Sequence, residues 1–116
     1  RRAIAATYAE ALDAQVGRLL FDDSPAHVAH LAVVRTQYRD ALRQHLRASG
    51  IATDIHYPVA DDMQAVWGRA DLAMETVDLP ETHAAVEEIF SVPCFPELTD
   101  EEVARVCLAL CSYGAP

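Results

Sequence analysis

The run Val28-Ala-His-Leu-Ala-Val-Val34 is short, β-branched and nearly all apolar, whichever way its side chains alternate. A strand of that kind must be covered on both faces, which rules out an isolated amphipathic layer and calls for neighbours on either side. The flanking chain offers helices. Ile4, Tyr8, Leu12 and Val16 recur at four-residue steps, predicting a first helix with one apolar stripe that Gly17 ends. Tyr38, Leu42 and Leu46 mark the buried face of a second helix, Arg39, Arg43 and Arg47 its other face, and Ser49-Gly50 its stop.

From that stop the chain runs into Gly50-Ile-Ala-Thr-Asp-Ile-His-Tyr-Pro58. Period-two alternation predicts a strand with Ile51, Thr53, Ile55 and Tyr57 on one side and Ala52, Asp54 and His56 on the other. Pro58 ends it, because proline cannot donate to a ladder. The segment 68–80 reads as a surface connection. Thr82 is placed to cap a short helix holding Val86 and Ile89, and Phe90-Ser-Val-Pro-Cys94 alternates as an edge strand. Thr99-Asp-Glu-Glu102 has the spacing of a capping box, opening a last helix lined by Val103, Val106, Cys107 and Leu110. The expected fold is a two-layer α/β (α+β) domain: a small three-stranded sheet covered by helices, with residues 1–116 forming one unit.

Composition narrows the partners. Eighteen acids against nine bases give a net charge of −9, a field that repels phosphate backbones and anionic membranes, so neither nucleic acid nor membrane is an expected partner. No apolar run approaches the ~20 residues that span a bilayer. Three cysteines and no leader pattern fit a reducing, cytoplasmic setting better than a disulfide framework. Every basic residue is arginine; the chain has no lysine. The opening residues read as helix with no cap before them, as in a piece of something longer, and a detached domain is expected to expose an apolar patch involving this first helix or to bury it in a dimer.

Asp54 and His56, two apart on one strand face, are the most chemically suggestive pair, since a carboxylate can fix an imidazole's tautomer; no nucleophile stands near them in sequence. The competing reading is a surface pair on an open sheet face. His27 and His30, three apart in a strand, fall on opposite faces and cannot share a metal, His27 being expected in solvent and His30 buried. Asp61 and Asp62 fit a helix N-terminus better than a cation site. Cys107 and Cys111 lack the further ligands of a metal centre, Trp67 reads as core, and the arginine stripe as a solvated face.

Together, Val28-Ala-His-Leu-Ala-Val-Val-Arg35, Gly50 to Pro58, Gln64 to Trp67, Leu79-Pro80 and Ser91-Val-Pro-Cys-Phe-Pro-Glu-Leu-Thr-Asp-Glu-Glu-Val103 resemble the C-terminal part of the DegT family of sugar aminotransferases, in order and over nearly the whole chain. The resemblance implies the small domain of a fold type I, pyridoxal-phosphate enzyme that transaminates nucleotide-linked keto-sugars with glutamate as amino donor. It also implies a missing large domain, which holds the cofactor, and a homodimer. Such enzymes bind pyridoxal phosphate through a lysine, so this chain alone is expected to bind no cofactor and to carry no catalytic residue. His56 and Tyr57 match the family's His-Tyr-Pro signature and Gln64 the glutamine after it, which implies a role in the substrate pocket. Asp62 stands in the same stretch where the family usually has histidine, and His83 where it commonly has glutamate. The rival expectation is a free-standing acidic α/β module that binds a partner without catalysis.

Overall fold

A computed structural model describes residues 1–68 and 78–114. Among these, three strands form one antiparallel sheet in the order β1 (Arg18–Leu19), β2 (Ala32–Arg35), β3 (Ile89–Val92). The expected buried strand is thus the central one, but it is fully buried on one face only, Ala32 and Val34 being buried and Val33 and Arg35 half-buried because the helices pack on a single side, and it begins at Ala32 instead of Val28. The reason lies at Ala29, whose φ of 47° turns the chain out of the extended region just before the ladder starts. That turn also reverses the two histidines. His27 is half-buried, stacked edge-on against Phe21 with ring centroids 5.3 Å apart, whereas His30 is exposed.

Register assigns the faces. Ala32 lies opposite Val92 and Val34 opposite Phe90, and all four are buried under the helices. Val33 opposite Ser91, and Arg35 opposite Ile89, look the other way. The core around Tyr8, Leu42, Leu46, Val34, Phe90 and Leu110 fills the space between the first face and α1 (Arg2–Ala11), α2 (Arg39–Ala48) and α4 (Asp100–Ser112). The fold is therefore the expected small α+β domain.

Helix ends follow local chemistry. At the end of α2, Gly50 takes φ 75°, its N–H bonds the Arg47 carbonyl at 3.0 Å and Ile51 N–H bonds the Leu46 carbonyl at 2.9 Å, a Schellman stop with both apolar partners in the core. The capping box forms in full: Glu102 N–H donates to Thr99 Oγ1 (3.2 Å) and Thr99 N–H to Glu102 Oε2 (2.9 Å). Helix α1 ends at Ala11, short of Gly17, because Asp13 builds a turn: its carboxylate accepts from Gln15 N–H (2.8 Å) and its carbonyl from Val16 N–H (2.9 Å). The stripe survives, since Leu12 and Val16 are buried outside the helix. It faces inward, so the apolar patch expected on the first helix is absent; the exposed large apolar side chains include Tyr57, Val59 and Met63 instead. Thr82 caps nothing: α3 (Pro80–Glu88) starts two residues earlier with Pro80 in its first turn, where a missing N–H does no harm.

Candidate functional site

The strand expected over 51–57 contracts to a single rung. Asp54 and Ser91 exchange both backbone hydrogen bonds (3.1 and 2.7 Å), attaching residue 54 to the outer edge of β3. On the inner side Ile51 N–H is taken by the helix stop, and after Ile55 the chain bends toward Pro58, so no longer ladder forms.

That rung builds the site. Ser91 is on the sheet face opposite the helices, and the residue is 6% exposed. The ring of His56 folds over it, with Nδ1 at 3.0 Å from Ser91 Oγ, and Nε2 lies 4.0 Å from Asp54 Oδ2. The other carboxylate oxygen of Asp54 accepts from Ile55 N–H at 2.8 Å, which fixes the group's orientation. Beside the three opens a cleft of about 420 Å³ whose walls include Leu31, Val92, Pro93 and Phe95. Asp54 and His56 share a face as expected, while the serine comes from 35 residues away. In the sequence, the one signal of Ser91 is a hydroxyl in an otherwise apolar strand. The trio is not a nucleophilic triad. Ser91's N–H is spent on Asp54, and the 4.0 Å gap leaves the carboxylate unbonded to the ring.

The remaining predicted site residues fall into two groups. Tyr57 follows His56 and is 69% exposed. Asp62 and Gln64 belong to the next stretch, around the 3-10 turns Asp61–Met63 and Ala65–Gly68. Gln64 Nε2 reaches the Val59 carbonyl at 3.4 Å, and Asp62 Oδ2 meets His83 Nε2 at 2.6 Å. No hydrogen bond or ion pair joins this group to His56 among the described residues. Asp61 and Asp62 lie within the first of these turns and cap no α-helix, as Ala60 precedes the turn without a side-chain bond. Trp67 is half-buried with its indole N–H on the Asp61 carbonyl, and stands outside the core cluster. Most of the surface connection expected over 68–80, residues 69–77, lies outside the described residues.

No group of three or more metal-ligating side chains occurs among the described residues. Cys107 and Cys111 approach the carbonyls of Thr7 and Ala11, lining the contact of α4 with α1. Of the arginines, Arg39 donates to the Val86 carbonyl at 2.9 Å and Arg43 Nε to Thr53 Oγ1 at 3.1 Å, tying α2 to its neighbours.

Residues 1–111 match the model of the DegT/DnrJ/EryC1/StrS aminotransferase family. The chain belongs to that family. Among its relatives is a pleiotropic regulatory protein of Geobacillus stearothermophilus, 39% identical over 88% of this chain. A dTDP-3-amino-3,6-dideoxy-alpha-D-galactopyranose transaminase of Aneurinibacillus thermoaerophilus is 35% identical over 98% of it. The crystal structure of S. venezuelae DesV in complex with a ketimine intermediate superposes with a TM-score of 0.78 at 36% identity, covering 96% of this chain. A family aminotransferase from Brucella abortus shares the fold, with a TM-score of 0.76 at 23% identity. This DegT-family chain spans about 30% of the length of these proteins: 28%, 31%, 30% and 28% respectively. The family implies pyridoxal phosphate, and the residues present do not fit it: an imine to the cofactor needs a lysine amine, and this sequence has none.

Proposed function

We propose that the chain is the small C-terminal unit, residues 1–116, of a pyridoxal-phosphate aminotransferase that makes amino sugars from nucleotide-linked keto-sugars, with glutamate as amino donor. The lysine and the cofactor belong to a larger unit of the same enzyme, which works as a cytoplasmic homodimer. The family match along residues 1–111 and the transaminase names of the relatives support this reading. The three free cysteines fit the reducing compartment. No helix among the described residues is long and apolar enough to cross a membrane.

The observation that carries the assignment of a role to this unit is the His56 ring, held by Ser91 at the lip of the 420 Å³ cleft. Within the enzyme this unit binds and orients: His56 and Tyr57 offer an N–H and an O–H beside apolar walls, and Gln64 and Asp62 flank the next turn. No step of amino transfer is assigned to these residues.

The test is a full-length protein containing this chain, assayed for 2-oxoglutarate release from glutamate with a panel of dTDP- and UDP-linked keto-sugars. Amino transfer to one of them is expected, and His56→Ala should raise the Michaelis constant for that sugar about tenfold or more with little change in unfolding midpoint. Absence of transfer across the panel rejects the function. An unchanged Michaelis constant removes His56 from the pocket.

A further inference from the structure

Which part of a nucleotide sugar this site takes follows from the protons on His56, and the inference rests on the function proposed above. Ser91 Oγ is buried, and among the described residues its one hydrogen-bond partner is His56 Nδ1. A buried hydroxyl needs an acceptor for its proton, so Ser91 donates and Nδ1 accepts. The neutral ring then carries its hydrogen on Nε2, the nitrogen turned toward Asp54.

Nε2–H and Asp54 Oδ2 are 4.0 Å apart, too far for a hydrogen bond between them, and the second carboxylate oxygen is already engaged by Ile55 N–H. A donor and an acceptor at that separation are complementary to one group that both accepts and donates. A hydroxyl oxygen placed about 2.8 Å from each accepts from Nε2–H and gives its own proton to the carboxylate. A phosphate oxygen fails the second half: it has no proton to give, and its charge opposes Asp54. The apolar walls beside the pair, among them Leu31, Pro93 and Phe95, suit the carbon face of a sugar ring better than a diphosphate.

We propose that Asp54 and His56 form a two-point reader of one neutral hydroxyl on the sugar, with Ser91 the positioning residue that sets the ring's tautomer. The diphosphate lies elsewhere, and discrimination among sugars at this position is between hydroxyl and hydrogen.

The test measures binding by calorimetry to the full-length holoenzyme, using as probes dTDP-glucose, UDP-glucose, their monodeoxy analogues and the bare nucleoside diphosphates. One deoxy position is expected to weaken binding about tenfold relative to the parent sugar, about 1.4 kcal/mol. Asp54→Ala and Ser91→Ala should each abolish that preference while leaving the affinity for the bare diphosphate unchanged. Ser91→Thr, which keeps the hydroxyl, should restore it. A preference untouched by Asp54→Ala or Ser91→Ala overturns the proposal, as does loss of diphosphate affinity in either variant or failure of Ser91→Thr to rescue. If no probe binds the wild-type enzyme, the nucleotide-sugar reading itself fails, and this inference with it; that result differs from binding without hydroxyl preference, which overturns the reader alone.

Discussion

Asp62 Oδ2 lies 2.6 Å from His83 Nε2, joining the first 3-10 turn to α3 across 21 residues of chain. These are two of the positions where the resemblance implies other residues, histidine and glutamate, and the structure makes them partners. Asp62→His alone should therefore set two imidazoles against each other and lose about 0.5–1 kcal/mol, as should His83→Glu alone, whereas the double exchange should recover most of that loss. Both side chains are about a third exposed, so the coupling is expected to shrink in 1 M salt. Urea midpoints of the four proteins decide it; a double variant no better than the sum of the singles means that no pair exists.

Ala29 is fully buried and holds φ at 47°, a region where a Cβ crowds the following carbonyl. Ala29→Gly should relieve that crowding while losing a buried methyl and loosening the unfolded chain, leaving stability within about 1 kcal/mol of the parent. Ala29→Val is expected to lose more than about 2 kcal/mol, because a β-branched side chain fits neither the backbone nor the space. Equal stabilities for the two variants would show that the chain does not make this turn.

The features legible in the sequence are those whose determinants lie within a few residues. The capping box needs only Thr99 and Glu102, and the stop of α2 only the residues from Leu46 to Ile51, so both were readable. The strand at 51–57 was not, because alternation shows that a segment can pair, whereas its partner edge is decided by distant residues; here β3 has room for one rung. The same reason hid Ser91, whose role depends on a histidine 35 positions away. Gly17 was misread as a helix terminator because its real constraint is tertiary.

A Cβ on Gly17 would lie 2.7 Å from the Arg35 carbonyl oxygen and 2.9 Å from Thr36 Cβ. The obstacle is the backbone at the end of the central strand, and it is fixed in turn by Thr36 N–H on the Glu88 carbonyl (3.0 Å) and by Arg35 Nε on Glu88 Oε2 (2.7 Å). Gly17→Ala should therefore destabilise by about 1–3 kcal/mol through overpacking. A neutral substitution would mean that β1 can move away from β2.

Tyr8 faces α4 from α1 with its ring fully buried and, among the described residues, no partner for its hydroxyl. Burial first, then the neighbouring Cys107, Cys94 and Glu102, push its ionisation well above the ordinary tyrosine value of 10.0. The folded chain therefore holds this proton while the unfolded chain releases it, so the associated stability is present below about pH 10 and declines as pH rises beyond it. Burial likewise raises the Cys94 and Cys107 thiols above 9.0, so the decline should begin near pH 9 and steepen near pH 10. Tyr8→Phe removes the phenol's part of that slope, about 1.4 kcal/mol per pH unit at its steepest. At neutral pH it also removes an unpaired buried hydroxyl, so the variant should equal the parent or exceed it by up to about 1 kcal/mol. Urea unfolding from pH 7 to 11 reads both effects. A loss above about 1 kcal/mol at pH 7 would mean that the hydroxyl has a partner, and an unchanged alkaline slope would assign that decline to the cysteines alone.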